Sequence, residues 1–261
     1  MTRPGLWKTA RAVAAAELKS FWGGAPAGAA LLVFLGLLGF FFYNSAAGYI
    51  VDSLAATARG LSLDASPALF SQGLTHIPLV LMLVTPLVTM RSLSAGRRGG
   101  HLDFFQTLPV DGLPLIAGQY LAAWLSLCLL CLLALAPFAA LLPLGVGTWP
   151  ILLIAALALF FLASFFAAAG LWASAAFSSP VGAGLGTLGL LGLMWVLGWA
   201  APYSDSGWGL IWQGLAFAPR VGRAVLGQAD LNDFLFFVFL TLTALFNARL
   251  MLALRRSGGT D

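Results

Sequence analysis

The chain has 261 residues, of which 61% are apolar and only 8% are charged, and its mean hydropathy is +0.96. Soluble domains carry about 25% charged residues, so this composition excludes a water-soluble fold and predicts a protein whose solvent is lipid. The net charge of +4 does not indicate nucleic-acid binding, because the basic residues flank apolar runs, as membrane orientation requires.

Six apolar runs are long enough to cross a bilayer, which takes about 20 predominantly apolar residues. They occupy 27–50, 74–90, 113–142, 150–177, 181–201 and 234–254. The first run is too long for the core of a cleaved signal, about 7–15 residues, so we interpret it as a retained anchor. The sequence predicts an all-α polytopic protein with an interfacial segment, 1–24, and one six-span domain, 25–261.

The distribution of Lys and Arg predicts the orientation of the spans. With a cytoplasmic amino terminus, ten basic residues lie inside and three outside, and the carboxyl terminus is also cytoplasmic. The inner set is Arg3, Lys8, Arg11, Lys19, Arg91, Arg97, Arg98, Arg249, Arg255 and Arg256, and the outer set is Arg59, Arg220 and Arg223.

Before the first span, residues 6–22 show the pattern of an amphipathic helix at a membrane surface. Glu17 falls within its apolar arc. A carboxylate in that position needs a partner, for which Arg97 or Arg98 is a candidate, unless the side chain is simply solvated.

Three other features are candidate sites. The first is the cytoplasmic loop 91–112, which concentrates charge, unlike the polar outer loop 51–73. The outer segment 202–233 has short apolar helices, marked by Trp208, Trp212, Pro219 and Arg223, that are too short to span and predict a re-entrant or interfacial segment. Gly182, Gly186 and Gly189 share one face of the fifth span, for packing within the chain or against another subunit.

Several kinds of site that transporters and enzymes need are not found in the sequence, and this restricts the functions to be considered. The span interiors lack mid-membrane ionisable residues that could carry a coupling ion, and neither lysine, Lys8 or Lys19, follows a glycine as a P-loop requires. Cys128 and Cys131 favour small buried thiols over a metal or redox pair. We therefore expect no catalytic, metal or cofactor site in this chain and an external energy source, with 91–112 as either a protrusion for a motor or a solvated loop.

The loop and its flanks resemble the permease subunits of type-2 ABC transporters, in the branch named for gliding-motility permeases. The resemblance covers nearly the whole chain. Its most specific part is Thr89-Met90-Arg91, Arg97-Arg98, Gly100-His101-Leu102-Asp103, Thr107-Leu108-Pro109-Val110 and Gly118-Gln119-Tyr120-Leu121-Ala122-Ala123. Further matches are Glu17-Leu18-Lys19-Ser20-Phe21, Pro26, Gly39-Phe40-Phe41-Phe42, Gly227, Asp230, Asp233-Phe234 and Arg255-Arg256.

Some positions depart from the family pattern. Ala95-Gly96 replace acidic residues, His101 and Asp103 replace Thr and Glu, Gln119 replaces Lys, and Ala16 replaces a basic residue. A contact that depends on charge in the family is therefore weakened or rewired here.

The resemblance implies a permease of the bacterial inner membrane, and an exporter is the expected type. A cytoplasmic ATPase dimer, holding ATP and Mg²⁺, would push on the amino-terminal helix and on a coupling helix in the loop. The implied coupling residues are Glu17, Arg91, Arg97, Arg98, His101, Asp103, Phe105, Thr107 and Pro109.

The other implied partners are membrane lipid and a second permease. That permease is either identical or a homologue, with or without an extracytoplasmic domain. The alternative function is a scaffold or force-transmitting subunit of an envelope or motility machine driven by the same kind of ATPase. A membrane enzyme is disfavoured because the spans lack a polar site.

Overall fold

The fold is a bundle of helices, seen in a computed structural model that describes residues 6–60, 70, 72–90, 92, 112–200, 214–225 and 227–257. Regular structure within these ranges is entirely helical, which confirms the predicted all-α class. The helices are α1 (Leu6–Trp22), α2 (Ala25–Ala58), α3 (Gln72–Thr89), α4 (Gly112–Leu141), α5 (Trp149–Ala176), α6 (Pro180–Ala200), α7 (Ala218–Val225) and α8 (Leu231–Ser257).

Six of these helices, α2 to α6 and α8, are long and apolar enough to cross a membrane, as predicted. The chain is therefore a multi-pass membrane protein. We call the two ends of the bundle the α1 end and the α7 end, after the short helices that lie there.

Helix α2 is longer than the sequence suggested. It continues to Ala58, so the first residues of the predicted loop 51–73 are helical. The polar side chains there do not stop a helix by themselves. The stop comes at Gly60, whose φ of 74° places it in the left-handed region and whose N–H donates to Thr57 O at 3.0 Å.

Helix α5 is the centre of the bundle and packs against α3, α4, α6, α7 and α8. Its run Ala167–Ala169 is fully buried, and Gly170 follows it. Lipid tails are as apolar as leucine, so spanning helices associate mainly through close packing, which small residues permit. The outward faces of α2, α4, α6 and α8 carry the exposed leucines and valines that lipid covers.

A close crossing in the core lies between α3 and α5. The hydroxyl groups of Thr85 and Thr89 donate to carbonyl oxygens one turn earlier in α3, at 2.7 and 3.0 Å, so both side chains are held in place. Thr89 lies directly over Gly170, where an added β-carbon would come within 2.6 Å of the Thr89 β-carbon. Only glycine fits at this crossing.

A hydrogen-bonded chain joins α5 to two other helices, α4 and α8. The Tyr120 hydroxyl on α4 lies 2.7 Å from Ser164 Oγ on α5, which lies 3.2 Å from Thr241 Oγ1 on α8. Hydroxyl pairs of this kind fix the rotation of one spanning helix against another.

Helix α7 belongs to a segment that enters the bundle without crossing it. Phe217, just before α7, is fully buried between Phe166 and Trp195, with ring centroids at 5.2 and 5.6 Å. Phe166 lies past the middle of the 28-residue helix α5. The predicted re-entrant segment is thus anchored inside the bundle through Phe217, and Pro219 lies in the first turn of α7.

Replacing Gly170 with valine should destabilise the protein by about 1–3 kcal/mol, because the larger side chain forces α3 and α5 apart. Thermal unfolding of the purified chain in detergent measures the change. Gly192→Val is the matched control, since an added β-carbon at Gly192 on α6 meets nothing within 4 Å. Equal melting temperatures for the two variants would contradict the close crossing.

Candidate functional site

At the α1 end, helix α1 lies alongside the first turns of α4. Gly118 makes this possible, because an added β-carbon there would lie 2.6 Å from Val13 Cβ and 2.7 Å from Ala10 O. Two turns further along α4, Ser126 Oγ accepts a hydrogen bond of 3.2 Å from the indole N–H of Trp22. Helix α1 is therefore attached to the spanning bundle along its length and not only through the chain.

This attachment places Glu17 against the bundle. Gln119, the residue after Gly118, is 5% exposed, and its Nε2 donates to Ser92 O at 2.8 Å and to Glu17 Oε1 at 3.4 Å. Ser92 follows the carboxyl end of α3. One amide group thus connects α1, α4 and the start of the 91–112 loop, and we call Glu17, Ser92 and Gln119 the α1-end cluster.

Burial raises the pKa of the half-buried Glu17 carboxyl above its ordinary value, and the hydrogen bond from Gln119 offsets part of this shift. Glu17, Ser92 and Ser126 line a cavity of about 20 Å³, which has room for about one water molecule. Gln119 Oε1 is buried and has no hydrogen-bond partner within the described part of the chain. The cluster is therefore polar, partly enclosed and short of hydrogen-bond donors.

Of the predicted coupling residues, the structure describes Glu17 alone. Its proposed partners Arg97 and Arg98 lie outside the described residues, as do Arg91, His101, Asp103, Phe105, Thr107 and Pro109. The sequence reasoning did not identify Gln119 as the neighbour of Glu17. The signal for it was the adjacent Gly118, a small residue on α4 where another helix can approach.

At the α7 end, Asp233 in the first turn of α8 holds two arginines of α7. Its side chain is 4% exposed, and its Oδ1 accepts hydrogen bonds from Arg220 Nη1 at 3.1 Å and from Arg223 Nη2. Its Oδ2 accepts the Asp230 N–H at 3.3 Å, which satisfies a free donor at the start of α8. We call Arg220, Arg223 and Asp233 the α7 clamp.

Arg220 has further contacts that fix α7 in place. Its guanidinium carbon lies 4.0 Å from the centroid of the Phe236 ring on α8, and its Nη2 donates to Gly214 O at 3.2 Å. From the sequence, Pro219 and Arg223 were predicted as site residues, whereas Arg220 was counted only among the outer basic residues and Asp233 only within the resemblance. The sequence signal for this ion pair was a pair of arginines three residues apart, followed by Asp-x-x-Asp before an apolar run. Trp208 and Trp212 lie outside the described residues.

The three glycines of α6 do not have one environment. An added β-carbon at Gly186 would clash with the ring of Phe177 in the turn before α6. At Gly182 it would meet Ser179 Oγ at 2.9 Å and make ordinary van der Waals contact with Phe177. At Gly189, on the exposed side of the helix, an added β-carbon meets nothing within 4 Å. The first two pack within the chain, and the third faces outward.

Cys128 is half-buried and Cys131 buried, and both are free thiols. Among the described residues, no three His, Cys, Asp or Glu side chains group closely enough to hold a metal ion. No protein-family model and no curated protein matches the sequence. The assignment to a function therefore depends on the two clusters and on the residue resemblance.

Replacing Glu17 with glutamine should stabilise the protein at neutral pH. A carboxyl whose folded pKa is raised contributes its stability below the unfolded pKa of about 4.3 and loses it as pH rises through the folded value. Melting temperatures of wild type and Glu17→Gln should agree near pH 4 and diverge by pH 7, with the variant higher.

The matched control for this experiment is Asp52→Asn, which neutralises an exposed carboxylate on α2. If Glu17→Gln instead lowers the melting temperature at pH 7, Glu17 is paired with a cation, as the sequence-based pairing with Arg97 or Arg98 requires.

Replacing Asp233 with asparagine should cost about 3 kcal/mol, because two arginines lose their shared, buried carboxylate. The measurement is thermal unfolding in detergent, together with labelling of a cysteine introduced at Gly222. We expect a lower melting temperature and faster labelling as α7 loosens. Asp230→Asn is the control, since the Asp230 side chain is exposed, and an equal effect of the two changes would rule out the clamp.

Proposed function

We propose that this chain is the transmembrane permease subunit of an ATP-driven type-2 ABC exporter, worked by a separate ATPase. The observation that carries the proposal is the α1-end cluster. An amphipathic helix and the start of a basic loop are joined there by the Gln119 amide, at one end of the spanning bundle. A partner that pushed on α1 or on the loop would move both together with α4.

The placement of charge supports an outside source of energy. Within the described parts of the spanning helices, the carboxylates are Asp52 in the last turns of α2 and Asp233 in the first turn of α8, where it is occupied by the α7 clamp. The arginines lie in the last turns of α8, from Arg249 onward. An ion-driven mechanism needs a titratable residue deep in the membrane. The chain offers instead a surface through which another protein can act.

A continuous line of side-chain contacts supports the transmission of movement from one end of the bundle to the other. Thr89, three residues before Ser92, packs on Gly170 of α5, and Phe166 on the preceding turn of α5 packs on Phe217 beside α7. In this proposal the loop 91–112 moves α3, α3 moves α5, and the α7 segment responds at the opposite end.

The remaining parts of the proposal follow from the resemblance and the charge distribution. The α1 end faces the cytoplasm of a bacterium, with both termini inside, and the α7 segment faces out. The ATPase dimer supplies ATP and Mg²⁺, and a second permease completes the transporter.

The same tight contact line favours one alternative, a force-transmitting subunit of an envelope or motility machine. Close packing from Thr89 through Gly170 to Phe217 serves rigid transmission whether or not a solute passes. ATPase activity of the whole complex in proteoliposomes separates the two functions, because a transported substrate stimulates a transporter and leaves a force-transmitting subunit unchanged.

Coupling to the ATPase should be lost when either the loop 91–112 or the contact between α1 and α4 is disturbed. In a complex with the cognate ATPase, Arg97→Glu with Arg98→Glu, or Gly118→Leu, should reduce permease-dependent ATP turnover at least tenfold while membrane insertion stays normal. Gly28→Leu is the control for the glycine change, because an added β-carbon at Gly28 on α2 meets nothing within 4 Å.

Unchanged turnover in both variants would contradict coupling through the α1 end. The proposed orientation has its own test, in which a cysteine at position 98 is labelled in intact cells. A membrane-impermeant reagent should not reach it, and labelling from outside would overturn the assignment.

A further inference from the structure

A groove of about 610 Å³ opens between α2, α3, α6 and α7, near the α7 end of the bundle. Phe41 of α2 and His76 of α3 form one wall, and Trp195 of α6 with Pro219 and Gly222 of α7 form the other. We call this space the α7 groove. It is separate from both the α1-end cluster and the α7 clamp, whose arginines contact α8.

The groove exists because α7 enters the bundle but does not fill it. On one side, Gly198 of α6 lets α7 come close, since an added β-carbon there would lie 3.3 Å from both Ala216 Cβ and Pro219 Cδ. On the other side, His76 stacks on Phe41 with ring centroids 4.7 Å apart and planes at 24°. At Gly222 an added β-carbon meets nothing within 4 Å, so the α7 wall stays open.

The lining defines what the groove can hold. Its volume is within the range of about 300–1,000 Å³ that is typical of small-molecule sites. Among the lining residues that the structure describes, none is Asp, Glu, Lys or Arg, and the polar groups are the Thr75 hydroxyl, the His76 imidazole and the indole N–H of Trp195. The Thr75 hydroxyl donates to Gln72 O at 2.6 Å, and of the other two groups the His76 imidazole alone can accept a hydrogen bond as well as donate one.

Apolar walls within spanning helices favour hydrocarbon, because water there would lose hydrogen bonds without replacement. An ionic headgroup would find no opposite charge among the described lining residues. We propose that the α7 groove binds one hydrocarbon chain of an uncharged lipid, with a hydroxyl or ester group of that lipid hydrogen-bonded to His76. The inference does not depend on ATPase coupling, and its test needs neither ATP nor a partner.

The probe is a monoacylglycerol with a diazirine in its acyl chain, added to the full chain in phosphatidylcholine liposomes and photolysed. Labelling should saturate at about one probe per chain and map by mass spectrometry to α3 and α7, around Leu79 and Val221. An excess of unlabelled monoacylglycerol should remove it, whereas a monoalkyl phosphate should compete at least tenfold less well. Unsaturable labelling spread over the exposed faces of α4 and α8 would overturn the proposal, because it reports bulk lipid.

Gly222→Phe should fill the groove and reduce saturable labelling at least tenfold. Gly189→Phe is the matched control and should leave labelling unchanged, because Gly189 is also open but lies outside the groove. Melting temperatures of both variants identify any that misfold.

A second variant keeps the proposal testable if Gly222→Phe does not fold. His76→Ala should weaken competition by monoacylglycerol about tenfold, the equivalent of about 1.4 kcal/mol for one hydrogen bond, and should leave competition by a plain alkane unchanged. Equal competition by monoacylglycerol in wild type and His76→Ala would refute the assigned headgroup contact.

Discussion

Close approach of helix backbones is the constraint on which this structure depends. Within lipid, apolar side chains gain little free energy by leaving one apolar environment for another, so helix pairs are held mainly by close van der Waals packing. The two pairings most relevant to function each depend on a single glycine, Gly170 beneath Thr89 and Gly118 beneath Val13. Because neither position has room for a β-carbon, α3 is fixed to α5 and α1 to α4, and the rest of the bundle is arranged around these contacts.

The carboxylates Asp233 and Glu17 lie in two different environments, since Asp233 is buried and Glu17 is half-buried. Asp233 lies at a helix start, where it accepts two arginines and a backbone N–H, so its burial costs little and fixes the α7 segment. Glu17 receives one long hydrogen bond from a neutral amide and has a raised pKa. A satisfied carboxylate is a structural anchor, whereas an under-satisfied one is a place where a conformational change or a new partner lowers the free energy. This contrast supports the proposal that the moving contacts lie at the α1 end.

The sequence predicted the six spans because a span is defined by local hydropathy, which a single chain displays directly. It did not locate the end of α2, because the polar residues after Ile50 are compatible with a helix and the stop depends on Gly60.

The sequence identified Glu17 as lying on an apolar face but did not identify its neighbour, since periodicity reveals the face of a helix and not what packs there. The same limit applies to Arg220 and Asp233, which are 13 residues apart and meet only because α7 turns back toward α8. The sequence also could not tell which glycines of the α6 face pack within the chain. Gly182 and Gly186 pack on Phe177, whereas Gly189 faces outward.

Helix α5 relates these separate features to one another. It is the only helix of the described bundle that packs against both α3 and α7 while also contacting α4, α6 and α8. In the proposed coupling, a displacement of α3 toward α5 at Thr89 meets no free space at Gly170, so α5 moves with it. The aromatic contact of Phe166 with Phe217 then carries that movement to the segment bearing α7, and α7 forms one wall of the groove. A push at one end of the bundle would therefore change the width of the α7 groove, and with it the space open to a hydrocarbon chain.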